Sequence, residues 1–213
     1  MTPQEEESVT QTAVRERPIL FSGEMVRAIL DGRKTQTRRV AKLTDSGRVR
    51  LPGKPTNWHP DDPNAVRACP FGQPGDRLWV RETFTDRFTD NADGERWVAY
   101  QADGRMINHS TGDRDANVGP LTMRSPIHMP RWASRLTLEV TEVRVQRVQE
   151  ISEEDAQAEG VGEGIDLTAA VLGRAQTPCR SGFHAVWDSL NAKRGHGWDA
   201  NPFVWTISFR RRA

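Results

Sequence analysis

The sequence predicts a mainly β, α+β chain: a small, mostly antiparallel β-barrel with short flanking helices and long loop insertions. Three observations point there. Segments of strand period, RLWVR, RWVAY, RLTLEVTEVRVQRV and FVWTISF, outnumber the helical ones. The helical segments are short and well punctuated, so they flank a sheet rather than build a bundle. The longest strand changes phase in mid-course: Leu136, Leu138 and Val140 share one parity, Val143 and Val145 the other. That slip near Thr141 calls for a bulge or sharp bend, as small curved barrels need. An open α+β sandwich is the alternative.

Taken in order, residues 1–16 read as a disordered leader without the apolar stretch of a secretory signal, and 17–213 as a single domain. After an apolar strand-like run from Pro18, Ser22 can cap a short helix with Met25, Ala28 and Ile29 on one face, and Gly32 stands where a left-handed C-cap is wanted. RKTQTRRV then continues as an extended segment with Thr35, Thr37 and Arg39 on one face. An insertion at about 42–74 holds Pro52, Pro55, Pro60, Pro63, Pro70 and Pro74, which opposes regular structure. PGDRLWVRETF makes a turn and a strand, and RWVAYQAD is another strand. A second insertion, about 101–122, contains a polar glycine-bearing loop from 103 to about 120. ISEEDAQAEG is a helix with Ser152 as N-cap, Asp155 as the capping carboxylate, Ile151 as staple and Gly160 as stop. A helix around FHAVWDSLN and a last strand, with Phe203, Trp205, Ile207 and Phe209 on one side, complete the ordered part.

A chain of 213 residues can bury a real core, and 36% hydrophobic with 28% charged residues suits a soluble protein with no membrane span. With a net charge of only +1 no global field attracts polyanions, so nucleic-acid affinity must come from local clusters. Such clusters are Arg33, Lys34, Arg38 and Arg39; Arg131 and Arg135; and Arg210, Arg211 and Arg212. A surface arginine run is by default a solvated face. Cys69 and Cys179 lack C-x-x-C spacing, which argues against a disulfide framework and a zinc site and fits a reducing cytoplasm. The five histidines show no H-E-x-x-H spacing, and the glycine-rich EGVGEGID lacks the G-K-[ST] of a phosphate loop, so no metal or cofactor is expected.

The reactive candidates are Lys34, Thr37 and Glu82. Arg33, Arg38 and Arg39 surround Lys34 with like charge, which lowers its pKa, and burial would push the same way. A threonine hydroxyl attacks a carbonyl only with a base in hydrogen-bond reach. Three residues apart in a strand, Lys34 and Thr37 would face opposite sides; they meet only if Lys34 sits in the preceding turn and reaches back. Glu82, at the end of a strand, is the first choice for the carboxylate, with an ordinary salt bridge to Arg81 or Lys34 as its other reading. In SPIHMPRWASR, Trp132 is placed to stack on a base while Arg131 or Arg135 meets phosphate; equally, Trp132 plugs one end of the barrel.

The run G-x-K-x-x-T-x-R formed by Gly32, Lys34, Thr37 and Arg39 resembles the signature G-x-K-x-x-[ET]-x-R of the ASCH family, a branch of the PUA-like superfamily. RPILFSGEMVRAILDGRKTQTRR, PGDRLWVRETF, SPIHMPRWASRLTLEVTEVRVQRVQEISEEDAQAEGV and NPFVWTISFRR together resemble its phage and prophage members. The resemblance implies a PUA-like barrel whose cleft takes a nucleoside, nucleotide or single-stranded RNA. One branch of the family hydrolyses the acetyl amide of N(4)-acetylcytidine, and its lysine, threonine and glutamate correspond to Lys34, Thr37 and Glu82. Thr37 follows that branch where many members carry glutamate; the long insertions depart from it. Arg39 and Arg33 would form a positive rim for a phosphate or an oxyanion. A non-catalytic RNA-binding module and a ribonuclease using Lys34 and Glu82 are the other readings.

Overall fold

The computed structural model describes residues 13–44, 46–50, 57–60, 62–88, 96–109, 111, 114–115, 122–161 and 178–212. Its strands are β1 (Glu16–Leu20), β2 (Gln36–Val40), β3 (Val49–Arg50), β4 (Asn57–Trp58), β5 (Arg77–Arg81), β6 (Phe84–Phe88), β7 (Arg96–Tyr100), β8 (Met106–Asn108), β9 (Arg114–Asp115), β10 (Thr137–Arg147) and β11 (Phe203–Arg211). The helices are α1 (Gly23–Leu30), α2 (Glu153–Ala158) and α3 (Pro178–Asn191). Strands dominate, in the mainly β, α+β class read from the sequence. β1 already takes in Glu16, and the leader up to residue 12 lies outside the described residues.

A five-stranded sheet runs β1-β5-β10-β11-β2, and β6-β7-β8-β9 form a second sheet. The pairing is mostly antiparallel, as expected, whereas the expected closure into a barrel is corrected. β1 pairs with β5 in parallel, and the order ends on β1 and β2 with no ladder joining them. The two edges instead approach through side chains, since the Arg39 guanidinium donates to the Leu20 carbonyl at 2.6 Å and stacks 5.1 Å from the Phe21 ring centroid. The bend near Thr141 is present as a register shift between Val140 and Glu142 on β11. The loop expected from 103 to about 120 is corrected too: β8 and β9 extend the second sheet through it, because Ile107 can pair with Val98 once the turn after Tyr100 reverses the chain.

One face of the first sheet buries Ile19, Leu78, Val80, Leu138, Val140 and Ile207 with α1, the other packs Val204 against α2 and α3 through Ile151, Ala156, Phe183 and Trp187. The Ser22 hydroxyl accepts from the Met25 amide, as a cap should. At the other end of α1, Gly32 (φ +75°) donates to Ile29 O and Arg33 to Ala28 O, the paired bonds of a Schellman stop. α2 starts on Ser152, whose hydroxyl accepts from Asp155 N, and stops before Gly160.

Gly160 has φ +83°, and a Cβ there would lie 2.9 Å from the Lys34 Cβ and 3.1 Å from the Ala28 Cβ. Neither neighbour is the end of a flexible chain. Gly160→Ala is therefore expected to cost about 3 kcal/mol in urea unfolding, from left-handed strain plus overpacking; an unchanged midpoint would mean that α1 and α2 do not approach this closely.

Candidate functional site

The Schellman stop returns the chain onto α1, with Arg33 N and Lys34 N both donating to Ala28 O at 2.9 and 3.0 Å. Lys34 thus sits in the turn before β2, where it can reach back. Its Nζ donates to the Glu159 carbonyl at 2.7 Å and to Glu159 Oε2 at 2.8 Å, and lies 5.8 Å from the Phe21 ring centroid. On β2 the register sets Thr37 opposite Ile207 and Arg39 opposite Trp205, so both face the first core; Gln36 and Arg38, opposite Ser208 and Thr206, face α2 and α3. Strand directions bring the ends of β1 and β5 and the start of β2 to the same end of the sheet. There Phe21 N donates to Arg81 O at 3.0 Å, and Glu82 follows on the core-facing parity of Leu78 and Val80. Lys34, Thr37 and Glu82 are 2%, 1% and 1% exposed, so all three polar groups are buried, and of the three Lys34 is the one that meets the Phe21 ring.

Each charged member is held by a partner that the sequence reading did not assign. Glu159 also accepts from Arg38 through Oε1 at 3.1 Å, and Arg38 binds Asp155 Oδ2 at 2.7 Å and Gln36 Oε1 at 2.6 Å. Arg144 joins from β10 onto Asp155 at 3.1 Å. Burial lowers the Lys34 pKa; Glu159 pulls it back up, and Arg39 and Arg38 lower it further. Glu82 is gripped by Arg135, Nε to Oε1 at 2.8 Å and the second amino group to Oε2 at 2.9 Å, and Arg135 also binds Asp103 at 2.7 Å. Arg135 lies over Tyr100, 4.0 Å from its ring centroid. Burial pushes the Glu82 carboxyl above its ordinary range, against the pull of Arg135. The Tyr100 hydroxyl donates to Ala133 O at 2.8 Å, so at 2.7 Å His109 Nε2 supplies the proton of their bond.

The solved structures similar to this chain include the following two. One is an ASCH domain from Lactobacillus crispatus JV V101, at 11% identity over 92% of this chain and 79% of that one, with a TM-score of 0.41. The other is protein EF3133 from Enterococcus faecalis V583, described under the family model DUF984, at 11% identity over 93% of this chain and 81% of that one, with a TM-score of 0.41. No family model and no curated protein matches the chain.

The remaining residues expected at the site divide. Arg39 stands beside Lys34 over Phe21. Arg33 is exposed, paired with Asp31 at 2.9 Å and donating to Gly160 O at 3.4 Å. Arg131 pairs with Glu16 at 2.9 Å, at the start of β1 and so at the opposite end of the sheet. Arg135, expected to meet phosphate, is instead the strut of Glu82. Trp132 packs half-buried on the Phe84, Val98, Tyr100 and Met129 cluster and meets His109 edge-on at 5.8 Å. Glu159 could have been sought from its sequence, because a carboxylate directly before a helix-stopping glycine is carried to wherever that turn docks. Among the described residues no group of three His, Cys, Asp or Glu is placed to hold a metal ion, and no helix is long and apolar enough to cross a membrane.

Because the folded state holds the Glu82 proton more tightly than the unfolded chain, the stability linked to it is full below the ordinary value of 4.5 and is lost as pH rises through the higher folded value. Urea midpoints measured from pH 4 to pH 8 should decline less steeply in Glu82→Gln than in the unaltered protein. Parallel profiles would contradict the carboxyl's placement.

Proposed function

We propose that the Phe21 end of the first sheet binds a nucleoside, nucleotide or single-stranded RNA, and that Lys34, Thr37 and Glu82 hydrolyse an acyl amide on the exocyclic amine of a cytosine-type base there. The reading is supported above all by the burial of an amine, a hydroxyl and a carboxyl, with Thr37 and Glu82 on positions that face the same apolar interior and Lys34 in the turn that leads into β2. Structural side chains of these types are seldom buried together without a role.

In this mechanism Lys34 accepts the Thr37 proton while the hydroxyl oxygen attacks the acyl carbon. Burial and the neighbouring Arg39 and Arg38 ease the release of the Lys34 proton that must precede this step, against the pull of Glu159, which holds the amine in place. Arg39 is the cation available to the developing oxyanion. Glu82, whose raised pKa suits it to carry a proton, passes that proton to the leaving amine as the C–N bond breaks. Water then cleaves the acyl ester of Thr37 and restores both groups. Binding without turnover is the second reading, favoured by the ion pairs that already engage Lys34 and Glu82.

The test is acetate release from N(4)-acetylcytidine alongside binding and cleavage of single-stranded RNA. Lys34→Ala and Thr37→Ala should each reduce release about 1,000-fold, with Arg39→Ala weakening binding in a salt-dependent way. No release by the unaltered protein, with RNA bound, would establish the second reading; RNA cleavage that survives Thr37→Ala would replace both with a ribonuclease.

A further inference from the structure

Linked to Glu82 through Arg135, the end of α1, the turn after β7 and the end of β11 border an open crevice of about 320 Å³ lined by Arg27, Leu30, Asp31, Asp103, Arg105 and Arg211. Both of its carboxylates are committed: Asp31 to Arg33 at 2.9 Å, and Asp103 to Arg135 at 2.7 Å with Arg105 at 3.7 Å. Arg135 is further shared with Glu82. Arg27 and Arg211 donate only to main-chain carbonyls, Ala102 O at 2.6 Å and Leu30 O at 3.3 Å, and among the described residues neither has a carboxylate partner. Counting the crevice with these partners, the guanidiniums of Arg27, Arg33, Arg105, Arg135 and Arg211 face the carboxylates of Asp31, Asp103 and Glu82. Two positive charges are left over when Glu82 is ionised and three when it carries a proton, in a chain whose whole net charge is +1. Such a surplus, on planar forks that suit tetrahedral oxyanions, in a hollow of small-molecule size, is the chemistry of phosphate recognition.

We propose that this crevice binds the phosphate of a phosphate ester, and that the ligand of the neighbouring site is therefore a nucleotide or an RNA rather than a free nucleoside. The link between the two is Asp103, which lines the crevice and shares Arg135 with Glu82. The identity of the ester rests on the function proposed above; the anion site does not.

Calorimetric titration of the full chain with inorganic phosphate, cytidine, cytidine 5′-monophosphate and a single-stranded oligoribonucleotide tests it. Variants are Arg27→Gln with Arg105→Gln, Arg211→Gln alone, and Arg194→Gln as an exposed control, each checked for an unchanged melting temperature. The monophosphate or the oligoribonucleotide should bind at least tenfold more tightly than cytidine, and that preference should vanish in the crevice variants and persist in the control. Whichever of the two responds identifies the source of the phosphate. Lys34→Ala should abolish any acetate release yet keep the preference, so failure of the hydrolase leaves the crevice standing. Equal binding of cytidine and both phosphorylated ligands, or a preference untouched by the crevice variants, would overturn the proposal.

Discussion

A lysine amine that is almost wholly buried needs a counter-charge, and in this chain the turn between α1 and β2 is arranged around supplying one. Glu159 meets Lys34 with both its carbonyl and its carboxylate, and offers its second oxygen to Arg38. An uncompensated charge in the same place would cost several kcal/mol, so α2 cannot move away from the start of β2 without exposing or stranding the amine. The main chain reinforces the clasp through Thr35 N on Ala158 O at 2.8 Å, and the bare Cα of Gly160 lets the two segments close.

The same interaction sorts the side chains of β2 into two roles. Thr37 and Arg39 face the apolar interior beside Phe21, whereas Gln36 and Arg38 enter a polar layer beneath α2 and α3 with Asp155 and Arg144. That layer is not fully satisfied: Arg38 Nε, Thr206 Oγ1 and Gln146 Nε2 are buried without a hydrogen-bond partner, and cross-strand register sets Arg144, Thr206 and Arg38 on one rung. Each such atom carries roughly 1–3 kcal/mol of desolvation. The turn at Lys34 is thus held by a layer that is itself costly to bury, which ties the stability of the fold to the geometry around Lys34.

Local features were legible in the sequence because their causes are local. Ser22, Gly32, Ser152 and Gly160 punctuate helices through bonds spanning a few residues, and the parity of Thr37 and Arg39 and the bulge at Thr141 follow from strand period. That Lys34, Thr37 and Glu82 would all be buried polar groups was suggested by resemblance and by the turn at Gly32 rather than by strand period. What stayed hidden is long-range. Glu159 lies 125 positions from Lys34 and Arg135 lies 53 from Glu82, and neither spacing leaves a periodic trace. The parallel pairing of β1 with β5 and the open sheet order are hidden for the same reason, since an alternating strand fits either direction of neighbour.

The clasp is tested most directly by replacing Glu159 with glutamine and measuring the free energy of urea unfolding at pH 7. Removing that charge leaves Lys34 and Arg38 under-compensated in a buried layer, and the expected loss is about 3–5 kcal/mol. A loss below about 1 kcal/mol, the range of an exposed ion pair, would show that Lys34 is not held in this way.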